Sequence, residues 1–349
     1  MRLKHQRMSK HKITQDMMIT FILRFLFVAI IIGLLWAQNN LVLTKKFVFS
    51  SPDVPKNFVG YKIVHVSDLC NSSVSITSQV KKCDPDIIIV SGGYFDTNGN
   101  SSKSVKQVEA LTKIAPVYYV YGLNDPEDVL SGTSAVNMSN NLIELETEVL
   151  DAATFIEKAY GKRIINEANK GNEEAQAYMD YIDTKLKENA NTTVALIGLD
   201  RHSDRETGAD TALDQVYNLL MQTDSEYSIG ILGNARAVQK LPNTRLRLAF
   251  TGGTFGTNNL HSEYKKGVYG IGTVQTFFCG GIGTYNDLEG NKIRRIFNFP
   301  EIQCITLSDG TIQDKNPLER FIGMFWSDVG TVFDNDTDFS VKKINTDIN

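Results

Sequence analysis

The segment Lys62-Ile-Val-His-Val-Ser-Asp68 decides the fold, because it is a short β-rich run that ends on a serine and an aspartate. Further runs of this kind follow along the chain and alternate with helical stretches. Most are nearly continuous in Ile, Val, Leu and Tyr, as expected of strands that are buried on both faces. This alternation predicts an α/β domain. The predicted strands are 62–67, 86–90, 117–121, 193–198, 228–232, 245–250, 273–279 and 303–307.

Helical periodicity predicts helices at 105–114 and 211–221. Segment 167–189 differs, because it is strongly polar and its few apolar residues recur at helical spacing. We interpret it as an amphipathic surface helix inserted between two core strands. Two interpretations of this helix remain: it is solvated on the edge of the domain, or it docks a partner. The polar tail 334–349 is predicted to be frayed.

The N-terminus predicts a membrane anchor. Five basic residues precede the first acidic one: Arg2, Lys4, Arg7, Lys10 and Lys12. They lead into 17–37, an apolar run whose only charge is Arg24 and which is long enough to cross a bilayer core of about 30 Å. No clear small-residue cleavage site follows, which favours an uncleaved anchor over a signal peptide. The positive-inside rule places 1–16 in the cytoplasm and the main domain on the extracytoplasmic side.

The remaining chain is predicted to form an extended linker at 38–57 and a main domain at 58–333. The net charge of −4 and pI near 5.8 lack the basic footprint of a nucleic-acid-binding protein, so no nucleic-acid partner is expected. Four cysteines are too few and too scattered for a disulfide framework or a zinc ribbon. They are interpreted as buried apolar residues, with a Cys70–Cys83 bridge as the alternative.

Five predicted strands end on short loops that are rich in Gly, Asn and Asp. In parallel α/β sheets, ligands bind outside the carboxyl ends of the strands, so these loops are expected to form one cleft. The loops are 67–71, 91–96, 121–125, 232–235 and 251–256.

The order and spacing of these loops resemble the calcineurin-like metallophosphoesterases, in particular a membrane-anchored bacterial branch that acts on lipid-linked or other phosphoesters. The resemblance covers roughly 61–307 and extends to Gly281-Ile-Gly283 and to the Arg-x-Phe-Asn-x-Pro-Glu-Ile string that ends at Ile302. It implies a sandwich of two β-sheets flanked by helices, behind an N-terminal transmembrane helix. The family pattern D-x-H, G-D-x-x-D, G-N-H-D, a lone His and G-H-x-H holds two metals and supplies a catalytic His.

Carried onto this chain, that pattern leaves one metal ligand of seven, Asp68. Glycine replaces the bridging aspartate at 93, and Asn124 stands where the catalytic histidine belongs, while Asp125 persists. The six replaced ligand positions are Cys70, Gly93, Leu123, Gly233, Gly253 and Phe255. The resulting vestigial cleft is predicted to contain Asp68, Cys70, Asn71, Gly93, Asp96, Leu123, Asn124, Asp125, Gly233, Asn234, Gly253 and Phe255.

Six lost ligands at about tenfold each would cost more than roughly 8 kcal/mol of metal binding. The sequence therefore predicts no metal ligand set, no catalytic residue and no cofactor. The predicted function is a membrane-anchored pseudo-phosphoesterase, a binding or scaffolding module for an unidentified protein or small molecule. One alternative is a hydrolase with a single divalent metal held by Asp68, Cys70, Asn124 and Asp125; another is a regulatory partner of an active paralogue. Restoring all six ligands is expected to recover metal uptake if the backbone geometry is preserved.

Overall fold

The structure is a computed structural model. It describes residues 2–310, with side chains from residue 17 onward except in 142–151. The gaps are 56–57, 97, 123–124, 126–141, 145–146, 152–168, 172, 174–175, 177–179, 181–192, 200–217, 222–224, 226, 234–236, 239–245, 254–265, 285–294 and 296–297.

Three helices and twelve strands are defined within that part of the chain. The helices are α1 (Arg2–Asn40), α2 (Thr77–Cys83) and α3 (Ser102–Thr112). The strands are β1 (Leu43–Ser50), β2 (Lys62–Val66), β3 (Ile87–Ser91), β4 (Val117–Val120), β5 (Leu142–Glu144), β6 (Thr147–Asp151), β7 (Thr193–Leu199), β8 (Tyr227–Leu232), β9 (Leu246–Thr251), β10 (Gly267–Ile271), β11 (Val274–Phe278) and β12 (Glu301–Ser308).

The strands form two six-stranded, mostly parallel sheets. The first has the order β1-β12-β2-β3-β4-β5, in which β2 to β5 are parallel, β12 is antiparallel to β2, and β1 is parallel to β12. The second has the order β10-β11-β9-β8-β7-β6, with β11, β9, β8 and β7 parallel and an antiparallel strand at each edge. The predicted mixed α/β class is confirmed.

One hydrophobic core lies between the two sheets. It joins Ile63 and Ile89 of the first sheet to Ile231 and Phe250 of the second, and all four side chains are completely buried. The rings of Phe47 and Phe277 meet edge-on across this interface with centroids 5.2 Å apart. A second core packs α2 and α3 against the other face of the first sheet. Burial on both faces explains why the central strands are continuous apolar runs.

All eight predicted strands are confirmed, with ends that differ by one or two residues. The helix predicted at 105–114 is confirmed as α3, shifted by about one turn toward the N-terminus. Of 211–221 the structure describes 218–221, which are helical. Of 167–189 it describes 169–171, 173, 176 and 180, most of them helical, so the inserted helix stays largely a prediction, and the tail 334–349 lies outside the described residues.

The predicted linker 38–57 needs correction, because most of it belongs to the domain. Helix α1 continues to Asn40, and β1 then pairs with β12 along its whole length. Phe47 and Phe49 of β1 are buried in the core between the sheets. Their alternation with more exposed residues is the signature of an edge strand that buries one face. The folded domain therefore begins at the third residue after the helix.

Helix α1 supports the predicted membrane anchor. Its segment Met17–Asn40 has a mean hydropathy of 2.7 over its most apolar window, and none of that window is buried against the rest of the protein. The segment is long and apolar enough to cross a membrane. Which end lies inside the cell stays a prediction.

All four cysteines are buried free thiols. The thiol of Cys83 is hydrogen-bonded to that of Cys304 on the neighbouring strand β12, and this contact raises the pKa of Cys83 together with burial. The interpretation of the cysteines as buried residues is confirmed, and the alternative Cys70–Cys83 bridge is not formed, because the sulfur neighbour of Cys83 is Cys304.

Candidate functional site

Four predicted cleft residues converge at one edge of the two sheets. Asp68, Gly93 and Asp125 follow the carboxyl ends of the parallel strands β2, β3 and β4, and Gly253 follows β9 of the second sheet. The N–H of Gly253 donates to both carboxylate oxygens of Asp68 at 3.1 Å. The backbone N–H of Asp68 donates to Gly92 at 3.0 Å. Four of the five motif loops thus meet at this edge, namely 67–71, 91–96, 121–125 and 251–256, as far as the structure describes them.

Asp68 lies in a closed environment. Asp68 is 1% exposed, and its backbone has a φ of 47°, a left-handed conformation that non-glycine residues seldom adopt. Its carbonyl accepts hydrogen bonds from Ile282 at 3.2 Å and from Gly283 at 2.7 Å. Asp68, the one position at which the resemblance implies a retained metal ligand, is therefore held from both sides by the backbone.

Two glycines press against Asp68. A Cβ atom on Gly93 would lie 2.6 Å from the Cα and 2.8 Å from Oδ1 of Asp68. A Cβ atom on Gly281 would lie 2.5 Å from the Cβ of Asp68. Both glycines have positive φ, 79° and 68°, which suits glycine alone. Position 93, where the resemblance implies a bridging aspartate, therefore has no space for a side chain.

Asp125 binds the backbone of two neighbouring loops. Its Oδ2 accepts the N–H groups of Gly93 and Gly122, both at 2.7 Å. Its Oδ1 accepts those of Tyr94 at 2.7 Å and Phe95 at 3.3 Å. The residue is fully buried, and burial raises the pKa of its carboxyl although the four donors oppose that rise. Asp125 thereby fastens the loop after β3 to the loop after β4.

The next two cleft side chains fasten the rim to helix α3. The amide of Asn71 donates to Asp96 at 3.1 Å, and its oxygen accepts the N–H of Lys103 at 2.9 Å. Asp96 accepts the N–H groups of Asn98 at 3.0 Å and Asn100 at 2.8 Å, which, with its other hydrogen bonds, lower the pKa of its carboxyl despite the opposing effect of burial. Both residues therefore order loops.

Cys70 is a buried thiol. Burial, then the charge of Asp68, raises its pKa well above the ordinary value. A thiol that resists ionisation is a weak nucleophile.

The structure brings the other cleft residues together only in part. Gly233 directly follows strand β8, and its N–H donates to the carbonyl of Leu199 at 2.7 Å. Leu123, Asn124, Asn234 and Phe255 lie outside the described residues.

Sequence reasoning missed the buried cation of the site, Arg295. The residue is 1% exposed, and its guanidinium donates to the carbonyls of Gly280, Gly281 and Gly283 at 2.6–3.1 Å, and to Phe299 at 3.2 Å. Burial lowers its pKa, whereas Asp68, foremost, and Glu301 favour its charged form. The motif string contains this arginine, but nothing local in the sequence signals that it is buried.

A second buried ionic cluster adjoins Arg295. Glu301 is fully buried, and its Oε2 forms ion pairs with Lys45 at 3.2 Å and Lys266 at 3.5 Å. Its Oε1 accepts the N–H of Gly280 at 2.9 Å. The two lysines lower the pKa of Glu301 in spite of burial, which by itself would raise it. The carboxylate is thus ionised and paired, as buried charges must be.

Beneath the cleft floor, His65 is part of a buried polar chain. Gln303 donates its amide to the carbonyl of Phe278 at 2.9 Å, so its oxygen is left to accept Nδ1–H of His65 at 3.0 Å. The Nε2 atom then accepts the hydroxyl of Ser91 at 2.8 Å. This serine–histidine pair resembles a nucleophile with its base, but both residues are buried at 0–2% exposure. A substrate has no access to it, so the pair is structural.

His65 should make the protein less stable in acid. Burial lowers its pKa to about 4, whereas the unfolded chain takes up this proton near about 6.5. Proton uptake by the unfolded state favours unfolding, so the stability present above pH about 6.5 should fall by about 3 kcal/mol as the pH decreases to about 4. Urea unfolding in detergent across this range should show a shallower pH dependence in His65→Gln. An unchanged pH dependence in that variant would contradict the assignment.

The donor set does not fit the family's two-metal centre. Within the described parts of the chain, no three His, Cys, Asp or Glu side chains are placed to share an ion. The carboxylates of Asp68 and Asp125 are turned to backbone N–H donors, and Gly93 leaves no room for a bridging ligand. Within the described residues, the cleft carboxylates bind protein backbone and form no ligand set for a metal-activated water.

Comparisons with known proteins were made by sequence and by structure. No family model matches the chain, and no curated protein sequence is similar to it. A structural similarity was found to TT1561 of Thermus thermophilus, known from its crystal structure, with 11% sequence identity. It covers 64% of this chain and 90% of that one, with a TM-score of 0.38. Similarity at this level supports no conclusion about function.

Proposed function

We propose that the protein is a membrane-anchored, extracytoplasmic pseudo-phosphoesterase, a binding or scaffolding module with the metallophosphoesterase fold that does not catalyse hydrolysis. The observation that carries the proposal is the bonding of the two cleft carboxylates. The carboxylate oxygens of Asp68 and Asp125 accept hydrogen bonds from backbone N–H groups. Gly93 lies against Asp68 at the position where the family has a bridging ligand.

The charge balance of the cleft supports this proposal. Clustered carboxylates without a cation repel one another and destabilise a metal-free site. Here Arg295 is the buried cation that favours the charge of Asp68, and Lys45 and Lys266 neutralise Glu301. The anions of the cleft are therefore compensated by the protein's own side chains and amides. A fold with this balance is stable with no metal bound.

Elemental analysis and turnover test the proposal. The full chain, purified in detergent, is expected to contain no stoichiometric Mn, Fe or Zn, because two-metal catalysis needs bridging and terminal ligands that are missing. Aryl phosphodiester hydrolysis with each metal added should equal that of a buffer blank. Metal-dependent turnover that disappears in Asp68→Ala would overturn the proposal. Stoichiometric metal retained through gel filtration would do so as well, without relying on a variant that must fold.

A further inference from the structure

The direction of the strands relates the cleft to the anchor. Strand β12 is antiparallel to β2, and β1 is parallel to β12. The first residues of β1 and β12 therefore lie at the end of the sheet where β2, β3 and β4 stop. We call this end of the sheet, which carries Asp68, Gly93 and Asp125, the cleft edge. Because α1 leads directly into β1, the helix reaches the domain at the edge that carries the cleft. Ser50, the last residue of β1, lies at the opposite edge.

The end of the helix is fastened to this edge. The side chain of Asn39 accepts the backbone N–H of Arg295 at 3.1 Å, and its amide donates to the carbonyl of Arg295 at 3.4 Å. The N–H of Leu43 donates to Pro300 at 2.8 Å. Gln38 is 4% exposed, whereas Trp36 two residues earlier is 62% exposed. Within one turn, the helix residues thus change from exposed apolar side chains to side chains that are packed against the domain.

A short path of contacts joins the helix to the cleft. Asn39 contacts Arg295, whose guanidinium binds the carbonyl of Gly281, and Gly281 lies against Asp68. The interface between lipid and water lies near the end of the apolar span, where Trp36 is suited to the headgroup layer. Only residues 41 and 42 lie between the end of α1 and the start of β1. The cleft edge is therefore held within a few side-chain lengths of the membrane.

We propose that the cleft edge of the domain faces the bilayer and lies against phospholipid headgroups, so that its occupant must be reached at the membrane surface. Lys45 and Lys266 place two partly exposed ammonium groups at this edge, where they can contact phosphate-bearing headgroups. The inference rests on the membrane-anchor part of the proposed function and is independent of whether the cleft has lost catalysis.

Two serine-to-cysteine variants distinguish the edges. Ser102 is exposed and begins α3, directly after the loop that leaves the carboxyl end of β3, so it lies on the cleft side. Ser50 is exposed and ends β1 on the far side. An eight-residue strand separates these edges by about 25 Å. The native cysteines are at most 5% exposed, so a thiol-reactive fluorophore should label the introduced residue in the folded protein.

The full chain, labelled at either position, would be reconstituted into nanodiscs of phosphatidylglycerol and phosphatidylcholine with a quencher attached to lipid headgroups. We expect several-fold stronger quenching for the label in Ser102→Cys than for the label in Ser50→Cys. Equal quenching, stronger quenching in Ser50→Cys, or none at either position would overturn the proposal. Unlabelled parent protein treated with the fluorophore controls for reaction of native thiols. The result does not depend on metal content or turnover, so it is separable from the test of lost catalysis.

Discussion

Replacing Gly93 by alanine is expected to destabilise the protein by about 3 kcal/mol or more. The new Cβ atom would lie 2.6 Å from the Cα of Asp68, a distance that requires the two loops to move apart. Such a movement would weaken the hydrogen bonds that Gly93 and Tyr94 donate to Asp125, which hold these loops together. Equilibrium unfolding in urea, followed by circular dichroism in detergent, measures the change.

Gly99→Ala is the matched control. Gly99 has a φ of 77°, against 79° at Gly93, so alanine meets the same backbone penalty of about 1 kcal/mol at both positions. A Cβ atom at Gly99 has no heavy atom within 4 Å. The difference between the two variants therefore isolates the close approach to Asp68. Equal destabilisation would mean that the cleft has room at Gly93 and that this explanation is wrong.

The close contact between Gly93 and Asp68 affects the experiment in which the six predicted metal ligands are restored. Returning all six ligands is expected to restore metal uptake only if the backbone can accept the new side chains, and a Cβ atom at Gly93 would lie 2.6 Å from the Cα of Asp68. Gly93→Asp is expected to behave like Gly93→Ala in stability and to bind no metal. We therefore expect the contact between Gly93 and Asp68 to oppose the return of a bridging ligand.

Asp125→Asn is expected to lower stability by about 3 kcal/mol, because the buried carboxylate accepts four N–H groups and an amide has one oxygen. The amide group would also turn its own donors toward backbone donors. Two buried N–H groups would then be left without a partner. Urea unfolding measures the loss.

Asp96→Asn is the control that separates the effect of burial from the effect of the number of hydrogen bonds that the carboxylate accepts. Asp96 also accepts four hydrogen bonds from N–H donors, from Asn71, Asn98 and twice from Asn100, but it lies on the rim of the cleft. Water can replace lost partners there, so Asp96→Asn should cost about 0.5 kcal/mol. If both variants lose the same stability, the loops at Asp125 are open to solvent and the cleft is not closed as described.

The site combines two ways of supporting buried anions without a metal. Backbone amides surround Asp125 and contact Asp68, while side-chain cations pair with Glu301 and lie near Asp68. Arg295 connects the two, because its guanidinium binds the carbonyls of Gly280 and Gly283. The N–H of Gly280 binds the carboxylate of Glu301, and that of Gly283 binds the backbone carbonyl of Asp68. This closed network is the physical ground for expecting a binding module rather than a hydrolase.

Local sequence was sufficient for the features that depend on local physics. The central strands were predictable because burial on both faces demands continuous β-branched and apolar residues, as in 87–91. The anchor was predictable because crossing a bilayer demands about 20 apolar residues. The convergence of the motif loops followed from parallel strand order, since carboxyl ends of parallel strands meet at one edge.

Long-range contacts determined the rest. The edge strands β5, β6 and β10 were missed because edge strands are short and half covered, and β1 because its core partners come from the far end of the chain. The burial of Arg295 and the exclusion of a side chain at Gly93 depend on residues 12 to 25 positions away. The sequence predicts that metal ligands are absent at the motif positions. The close packing of backbone around Asp68 and Asp125 is visible only in three dimensions, because it is made by backbone groups that every residue carries.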